Sequence, residues 1–376
     1  MKVLQLVSSA GLYGAERVIL NLSAGLIAAG CDVTICTLEM ESQDSKQLSA
    51  AASAQGFAVK PIYCRGRVDL PAIRQLRRFI THNAIDVVHT HGYKADLYGF
   101  AAVQGRSALV ATIHSREPIH KSVKLYTKVD GWALRGFDRI VTVTPDLQHR
   151  LVSEGFSAEQ VKCVPNGVPI PPMRNNACKS TPVIGVIGRL SYEKGPDVAL
   201  QVFHRLKQRG VNFKGVFLGD GPLADDLRAT ATRLGLEDTV CFPGRASDVA
   251  ERLADFAAVL IPSRSEQMPM TLLEAMAAAK TVVATRVGSI ATILEEGVTG
   301  FLVNPGDSEQ MAEALALVLE HPENAECTGL RARAVVAEKY SADAMVREYL
   351  QVYRGCVIRR KPALQSMQTE GIQSNG

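Results

Sequence analysis

Two carboxylates mark the part of the chain best suited to chemistry. They are Glu266 and Glu274, in the segment Ser263-Arg-Ser-Glu-Gln-Met-Pro-Met-Thr-Leu-Leu-Glu-Ala-Met276. Glu266 follows an apolar run that reads as a strand, and Glu274 falls inside the helix that comes next. Pro269 suits the first turn of that helix, where its missing N–H removes no bond. One carboxylate is therefore held in a loop and the other in a helix. The backbone around Gln267, Met268, Met270 and Thr271 lies between them. The N-terminus of a helix attracts phosphate, because its amides point outward and the helix dipole favours negative charge. Flanking carboxylates can accept hydrogen bonds from sugar hydroxyls on either side of a diphosphate.

A second cluster, Gly188-Arg-Leu-Ser-Tyr-Glu-Lys-Gly195, comes directly after another apolar run. Arg189 and Lys194 are cations in a loop at the carboxyl end of a strand, and Gly188 and Gly195 permit close approach of an anion. A lone cation is most often a solvated surface group. Two of them in a glycine-bounded loop at a strand end favour a diphosphate. In the first half, Ser9-Ala-Gly-Leu-Tyr-Gly-Ala-Glu-Arg17 follows the first strand, and its Gly14 opens a helix. His114 ends a later strand, in Ala-Thr-Ile-His-Ser, where position favours a ligand contact over a purely structural role. His89 and His91, in Val-Val-His-Thr-His-Gly, also end a strand. Two residues apart, with no neighbouring Cys or carboxylate, they make a poor metal pair and read as cleft-lining and helix-start residues.

The elements that must hold these groups follow from the alternation of short apolar runs with amphipathic stretches. Strands are expected at Val3–Val7, Asp32–Leu38, Phe57–Tyr63, Ala84–His89, Ala108–His114 and Arg139–Thr144. Pro165, Pro169, Pro171 and Pro172 then crowd a polar stretch that reads as a linker. The alternation restarts with strands at Val183–Ile187, Phe213–Leu218, Thr239–Phe242, Ala257–Ile261, Thr281–Ala284 and Gly300–Val303. The fold class is α/β, with two Rossmann-like doubly wound domains facing each other across a cleft. The expected boundaries are a first domain over 1–168, a linker over 169–180, a second domain over 181–340, a helix over 341–358 and a disordered tail over 361–376. Ligands of such sheets bind beyond the carboxyl ends of the strands.

Bulk properties narrow the function. An apolar fraction of 47% over 376 residues is ample for two cores, and 21% charged residues argue against disorder. The net charge is +4, concentrated in residues 1–170, which hold 19 Lys and Arg against 14 Asp and Glu. Arg65, Arg67, Arg74, Arg77 and Arg78 form either a solvated helix face or a surface for an anionic membrane or acidic acceptor. Charge this weak with so few aromatics does not suggest nucleic acid. The eight cysteines include no C-x-x-C, so neither a zinc site nor a thioredoxin-type motif is indicated. Several lie in apolar runs, as suits a reducing cytosol. The N-terminus reads as a strand, and no apolar run is long enough to span a bilayer. The expected location is cytoplasmic, with at most peripheral contact with the inner face of a membrane.

Together with Leu218-Gly-Asp-Gly221 and Phe242-Pro-Gly-Arg245, the segments Gly188–Gly195 and Glu266–Glu274 resemble the family-4 glycosyltransferases of the GT-B fold, whose signature is Glu-x7-Glu. The resemblance runs from Met1 to about Tyr353. It implies that Glu274 holds the nucleotide ribose, that Glu266 lies near the donor sugar, and that Arg189 and Lys194 bind the diphosphate. It places the Gly244–Arg245 loop near the base, the Gly14 turn near donor and acceptor, and His114 against the reacting sugar. It brings the C-terminal helix back to the first domain. This chain departs from the family pattern at Gln267 and Ala279, where glycine is usual, and at Ser289-Ile-Ala-Thr292, where a Gly-x-Pro-Glu turn is usual. The Gln267 change bears on which donor sugar fits.

The implied reaction is retaining transfer of a hexosyl group from a UDP- or GDP-sugar to a glycan or lipid-linked acceptor, as in polysaccharide or cell-envelope biosynthesis. Cleaving a sugar–phosphate bond builds negative charge on the leaving diphosphate, which pre-oriented cations and helix amides stabilise. The chain contains no Asp-x-Asp, the metal-holding motif of the other major fold, so neither a metal nor another cofactor is expected. With no obvious covalent nucleophile, front-face attack is expected, the leaving phosphate taking the acceptor proton. The rivals are a nucleotide-sugar epimerase of the same fold, a catalytically silent nucleotide-sugar binder and an NAD-dependent oxidoreductase. Glu39 suits the last, but the first turn lacks G-x-G-x-x-G.

Overall fold

The computed structural model describes the chain except residues 9–10, 41–42, 67, 104, 106, 116–129, 174–180, 247–248 and 374–376; for 43 and 361–373 it describes the backbone only. The described residues form two compact units. One comprises Met1–Gly167 with Ala342–Gly376, the other Val168–Ser341. The linker expected over 169–180 falls largely on residues outside the described ones.

The first unit is built on a seven-stranded parallel sheet in the order β3-β2-β1-β4-β5-β6-β7. Its elements are β1 (Lys2–Val7), α1 (Gly14–Ala28), β2 (Asp32–Glu39), α2 (Gln47–Ala54), β3 (Ala58–Tyr63), α3 (Leu70–His82), β4 (Val87–His91), α4 (Tyr93–Ala102), β5 (Ala108–Ile113), β6 (Arg139–Thr142), α5 (Pro145–Ser153) and β7 (Val161–Cys163). Strands β4 and β5, covered on both faces, are buried at every position, although β4 carries His89, Thr90 and His91. Helix starts carry their own signals. The carboxylate of Asp69 accepts the amide of Ala72 at 3.1 Å, with Pro71 in the first turn of α3. The hydroxyl of Thr144 accepts the amide of Leu147 at 3.3 Å, with Pro145 opening α5. Strand β4 starts later than the expected Ala84–His89, because Ala84, at φ +50°, still belongs to the turn that closes α3. His91, not His89, is therefore the terminal residue.

The second unit has a six-stranded parallel sheet in the order β10-β9-β8-β11-β12-β13. Here the elements are β8 (Val183–Ile187), α6 (Pro196–Gln208), β9 (Lys214–Leu218), α7 (Ala224–Arg233), β10 (Val240–Gly244), α8 (Val249–Ala254), β11 (Ala258–Ile261), α9 (Met270–Ala277), β12 (Thr281–Thr285), α10 (Ile290–Ile293), β13 (Phe301–Val303), α11 (Ser308–Glu320) and α12 (Pro322–Lys339). Its core is dominated by Phe203, Phe217, Leu200, Leu260 and Met311, each at most 1% exposed. In both sheets the strand order reverses direction beside the first strand of the unit, between β1 and β4 and between β8 and β11. Those are the switch points at which loops diverge and leave a crevice.

The last helix, α13 (Ala342–Gln373), belongs to the first unit. It buries Tyr349, Tyr353 and Cys356 there. Its backbone is helical as far as Gln373, over most of the stretch expected as a tail from Lys361 onward. The stretch Ala363-Leu-Gln-Ser-Met-Gln368 is rich in helix formers, although Pro362 just before it is unfavourable in a helix interior.

Candidate functional site

The expected phosphate-binding groups converge at the β8/β11 switch point of the second unit. A cavity there is lined by Gly188, Arg189, Lys194, Ser263, Glu266 and Thr271, among others. Lys194 is supplied by the single helical turn after β8, and its ammonium donates to both carboxylate oxygens of Glu266, at 2.6 and 2.8 Å. The hydroxyl of Ser263 donates to the same carboxylate at 2.7 Å. The Glu266 side chain is 6% exposed while that of Lys194 is 33% exposed. The carboxylate is thus enclosed, while one ammonium N–H remains directed elsewhere than at Glu266. Charge-assisted bonds of this length fix both side chains in place.

Backbone geometry holds the two loops together. The amide of Arg264 donates to the carbonyl of Glu193 at 2.8 Å. The Arg264 guanidinium forms a two-pronged pair with Asp197 at 2.8 and 2.6 Å, and stacks 4.3 Å above the ring of Tyr192. Bonds from Arg264 hold the Asp197 carboxyl below the usual range. Two glycines are obligatory. Gly195, at φ +63°, leaves no room for a Cβ beside the carbonyl of Pro262, and Gly288, at φ +49°, leaves none beside the carbonyl of Glu266.

Helix α9 opens with Pro269 as its cap residue and no side-chain cap bond. Pro269 therefore stands one position before the first helical turn expected for it. The side chains of Met268 and Met270 are buried at 9% and 6% exposure, so these two residues face the core and can offer a ligand only backbone. Thr271 lines the cavity, and Glu274 lies one turn further along α9, on the same face. Gln267 is half-buried in the loop before α9. Gly244 ends β10 at φ +83°, and Arg245 beside it is exposed. They do not line the cavity, being at the end of the third strand from the switch point.

His114 and Gly14 belong to the first unit. Gly14 is the first residue of α1. His114 follows β5 and lines a second cavity, at the β1/β4 switch point, with Glu16, His91, Tyr93, Asp96 and Asp130. Burial pushes its pKa down to about 4, so it is neutral over the physiological range. His89 corrects the sequence reading. It is fully buried within β4, its two ring nitrogens 2.7 Å from the hydroxyls of Tyr353 and Thr112, and it is a core histidine with no role in lining a cleft. His91 does line the cavity, as expected for a strand-end residue.

Several residues of these sites escaped the sequence reading. Ser263 and the Arg264–Asp197 pair lie inside or beside the quoted motifs, yet only contact in space shows what they bind. Gln5 carried a legible signal: an amide in the middle of the apolar strand Val3–Val7 needs buried partners.

Comparisons with known proteins agree with this architecture. The family model "Glycosyltransferase Family 4" matches residues 13–170, and "Glycosyl transferases group 1" matches residues 173–335. The chain is 31% identical over 175 residues to the alpha-D-kanosaminyltransferase of Streptomyces kanamyceticus, an alignment spanning 46% of this chain and 45% of that protein. It is 25% identical to the D-inositol 3-phosphate glycosyltransferase of Acidothermus cellulolyticus, over 93% of this chain and 87% of that one. The chain spans about half the length, or less, of the first curated relatives it matches. Among solved structures, Anabaena Alr3699/HepE in complex with UDP-glucose superposes with a TM-score of 0.81 at 21% identity, covering 94% of this chain and all of the other. Two family matches that together run from residue 13 to 335, on two parallel-sheet α/β units, place the chain in glycosyltransferase family 4, with the GT-B fold.

Proposed function

We propose that the protein transfers a sugar from a nucleotide-sugar donor to a hydroxyl-bearing acceptor, with retention at the anomeric carbon and without a metal. The observation that carries this reading is the Lys194–Glu266 pair, set beside Arg189 and the uncapped start of α9 at a sheet switch point. Two cations and helix amides directed at one crevice suit a leaving diphosphate. Glu274, on the face of α9 shared with Thr271, suits the ribose hydroxyls. A UDP-sugar is the first donor to try, since a structural neighbour was crystallised with UDP-glucose. A GDP-sugar is the second. The neutral His114 suits a hydrogen bond to a sugar hydroxyl, not proton abstraction, and the leaving phosphate then takes the acceptor proton.

The acceptor is proposed to be a glycan or a lipid-linked glycan. Arg65, Arg74 and Arg78 on the exposed surface around α3, beside Tyr63, Val68 and Leu70 at 49%, 71% and 60% exposure, suit peripheral contact with anionic lipid. Arg77 contributes less, because its guanidinium is held by the carbonyl of Ala101 at 2.6 Å. Among the described residues, no helix is long and apolar enough to cross a membrane.

The deciding experiment is a panel of UDP- and GDP-sugars screened by thermal shift, followed by turnover of the binders with and without EDTA. A donor that raises the melting temperature and is consumed equally in both conditions supports the reading. Loss of turnover in EDTA removes metal independence, and an inverted anomer in the product removes retention.

A further inference from the structure

Gln5 is fully buried in β1, on the sheet face against which α13 packs Tyr349 and Tyr353. Its side-chain oxygen lies 2.8 Å from Nε2 of His91, and its amide nitrogen donates to the hydroxyl of Tyr353 at 3.4 Å. The Tyr353 hydroxyl lies 2.7 Å from Nδ1 of His89, whose Nε2 lies 2.7 Å from the hydroxyl of Thr112. Thr112 in turn meets the hydroxyl of Tyr349 at 2.8 Å. A chain of polar groups thus runs under the sheet, anchored on two tyrosines of the last helix.

Its polarity sets the proton on each ring. An amide oxygen can only accept, so Nε2 of His91 carries the hydrogen. Burial holds His91 neutral, so its Nδ1 is a bare lone pair. That Nδ1 lies 3.2 Å from Nε2 of His114, which must be the donor. His114 is neutral as well, so its remaining nitrogen, Nδ1, carries no hydrogen. This atom is shielded from solvent, has no hydrogen-bond partner among the described residues, and belongs to a residue that lines the cavity at the β1/β4 switch point. A buried acceptor left without a partner is uncommon in native proteins and marks a place for a ligand donor.

We propose that Gln5 and His91 are positioning residues that hold His114 as its Nε2–H tautomer, so that Nδ1 accepts a hydrogen bond from a hydroxyl of the bound sugar. The assignment rests on the proposed sugar transfer for the identity of the ligand, but the tautomer itself does not. The cavity thereby selects a substrate that presents an O–H at this point. A deoxy or O-methyl analogue at that position leaves Nδ1 unsatisfied and is used less well.

Histidine-selective nitrogen-15 labelling of the full chain tests this without any substrate, with His114→Gln identifying the His114 signals. The expected spectrum has His114 protonated at Nε2 and bare at Nδ1 at neutral pH. Protonation at Nδ1 in the wild-type protein overturns the proposal, whatever the variants do. Gln5→Leu is expected to give mixed tautomers at His114 and a drop in kcat/KM of about tenfold. Gln5→Glu keeps the acceptor facing His91 and should retain the wild-type tautomer. A folded Gln5→Leu protein with unchanged tautomer and unchanged kcat/KM also overturns it. If the wild-type chain consumes no nucleotide sugar, the transfer reading fails while the spectrum still decides the relay.

Discussion

Single residues at the β8/β11 crevice divide by what they hold. Glu274 is proposed to hold ground-state and transition-state nucleotide alike, so Glu274→Ala should raise the KM for the donor. The rise is about 10- to 100-fold, the worth of hydrogen bonds to a charged group. Lys194 and Arg189 are proposed to face charge that grows as the bond breaks. Lys194→Ala should therefore lower kcat by about 10²- to 10³-fold with little change in KM, a split visible in steady-state kinetics. A raised KM with kcat unchanged would point to a binding role alone. Lys194→Arg should not restore the activity: its guanidinium can bind both oxygens of Glu266, but it is longer and planar and does not place a compact charge where the ammonium stands. Three histidines of the first unit add a pH dependence. His89, His91 and His114 all have folded pKa values below the ordinary 6.5. As pH falls through 6.5 the unfolded chain takes up protons that the folded chain refuses, so stability is lost on the acid side. The melting temperature should be flat above pH 7, then fall steadily from about pH 6.5 toward pH 4. An equally steep fall in His89→Gln would show that another group is responsible.

Elements matter through the loops that they bring into register. Gly288 begins the turn into α10, and its lack of a side chain lets that turn press on the carbonyl of Glu266. Gly288→Ala must move one loop or the other, so both Lys194 pairing and transfer should suffer while the fold survives. A destabilisation of about 1–3 kcal/mol in urea melts, with kcat reduced more than Glu274→Ala reduces it, is the expected pattern. The end of α9 carries the opposite case. Ala279 is held at φ +55°, a conformation costly for any residue with a Cβ. Ala279→Gly should stabilise the protein by about 0.5–1 kcal/mol, because relief of strain there exceeds the added freedom of the unfolded chain. A neutral or negative result in denaturant melts would mean that packing has already absorbed the strain.

At the scale of the molecule, the last helix completes the first unit rather than the second that precedes it in sequence. Tyr349 and Tyr353 are at most 1% exposed, and Arg360 pairs with Asp138 at 2.9 and 2.8 Å. A chain ending at Ser341 therefore lacks part of the first unit's core. Circular dichroism and thermal melting should show that unit unfolded or molten. Tyr349→Ala in the full chain should cost about 3–5 kcal/mol, as for other large aromatics removed from a core. A fully folded truncated chain would show that the two tyrosines contribute little to the core.

Much was legible before any fold was known. The alternation of apolar runs and amphipathic stretches determined two α/β units, because strands buried on both faces and helices with one apolar stripe can pack in few ways. The glycine-bounded loop with Arg189 and Lys194, and the paired Glu266 and Glu274, were readable because a turn and a helix start are local in sequence. What tertiary structure alone decided was which groups meet. Lys194 and Glu266 are 72 residues apart, and Gln5 and Tyr353 are 348 apart. Nothing in the spacing of such residues indicates a shared bond. The same holds for His89 and His91, alike in sequence yet one locked in the core and the other at a cavity. Two residues apart, they share one face of β4, and position along the strand makes the difference: His91 ends it at the cavity, whereas Tyr349 and Tyr353 cover His89.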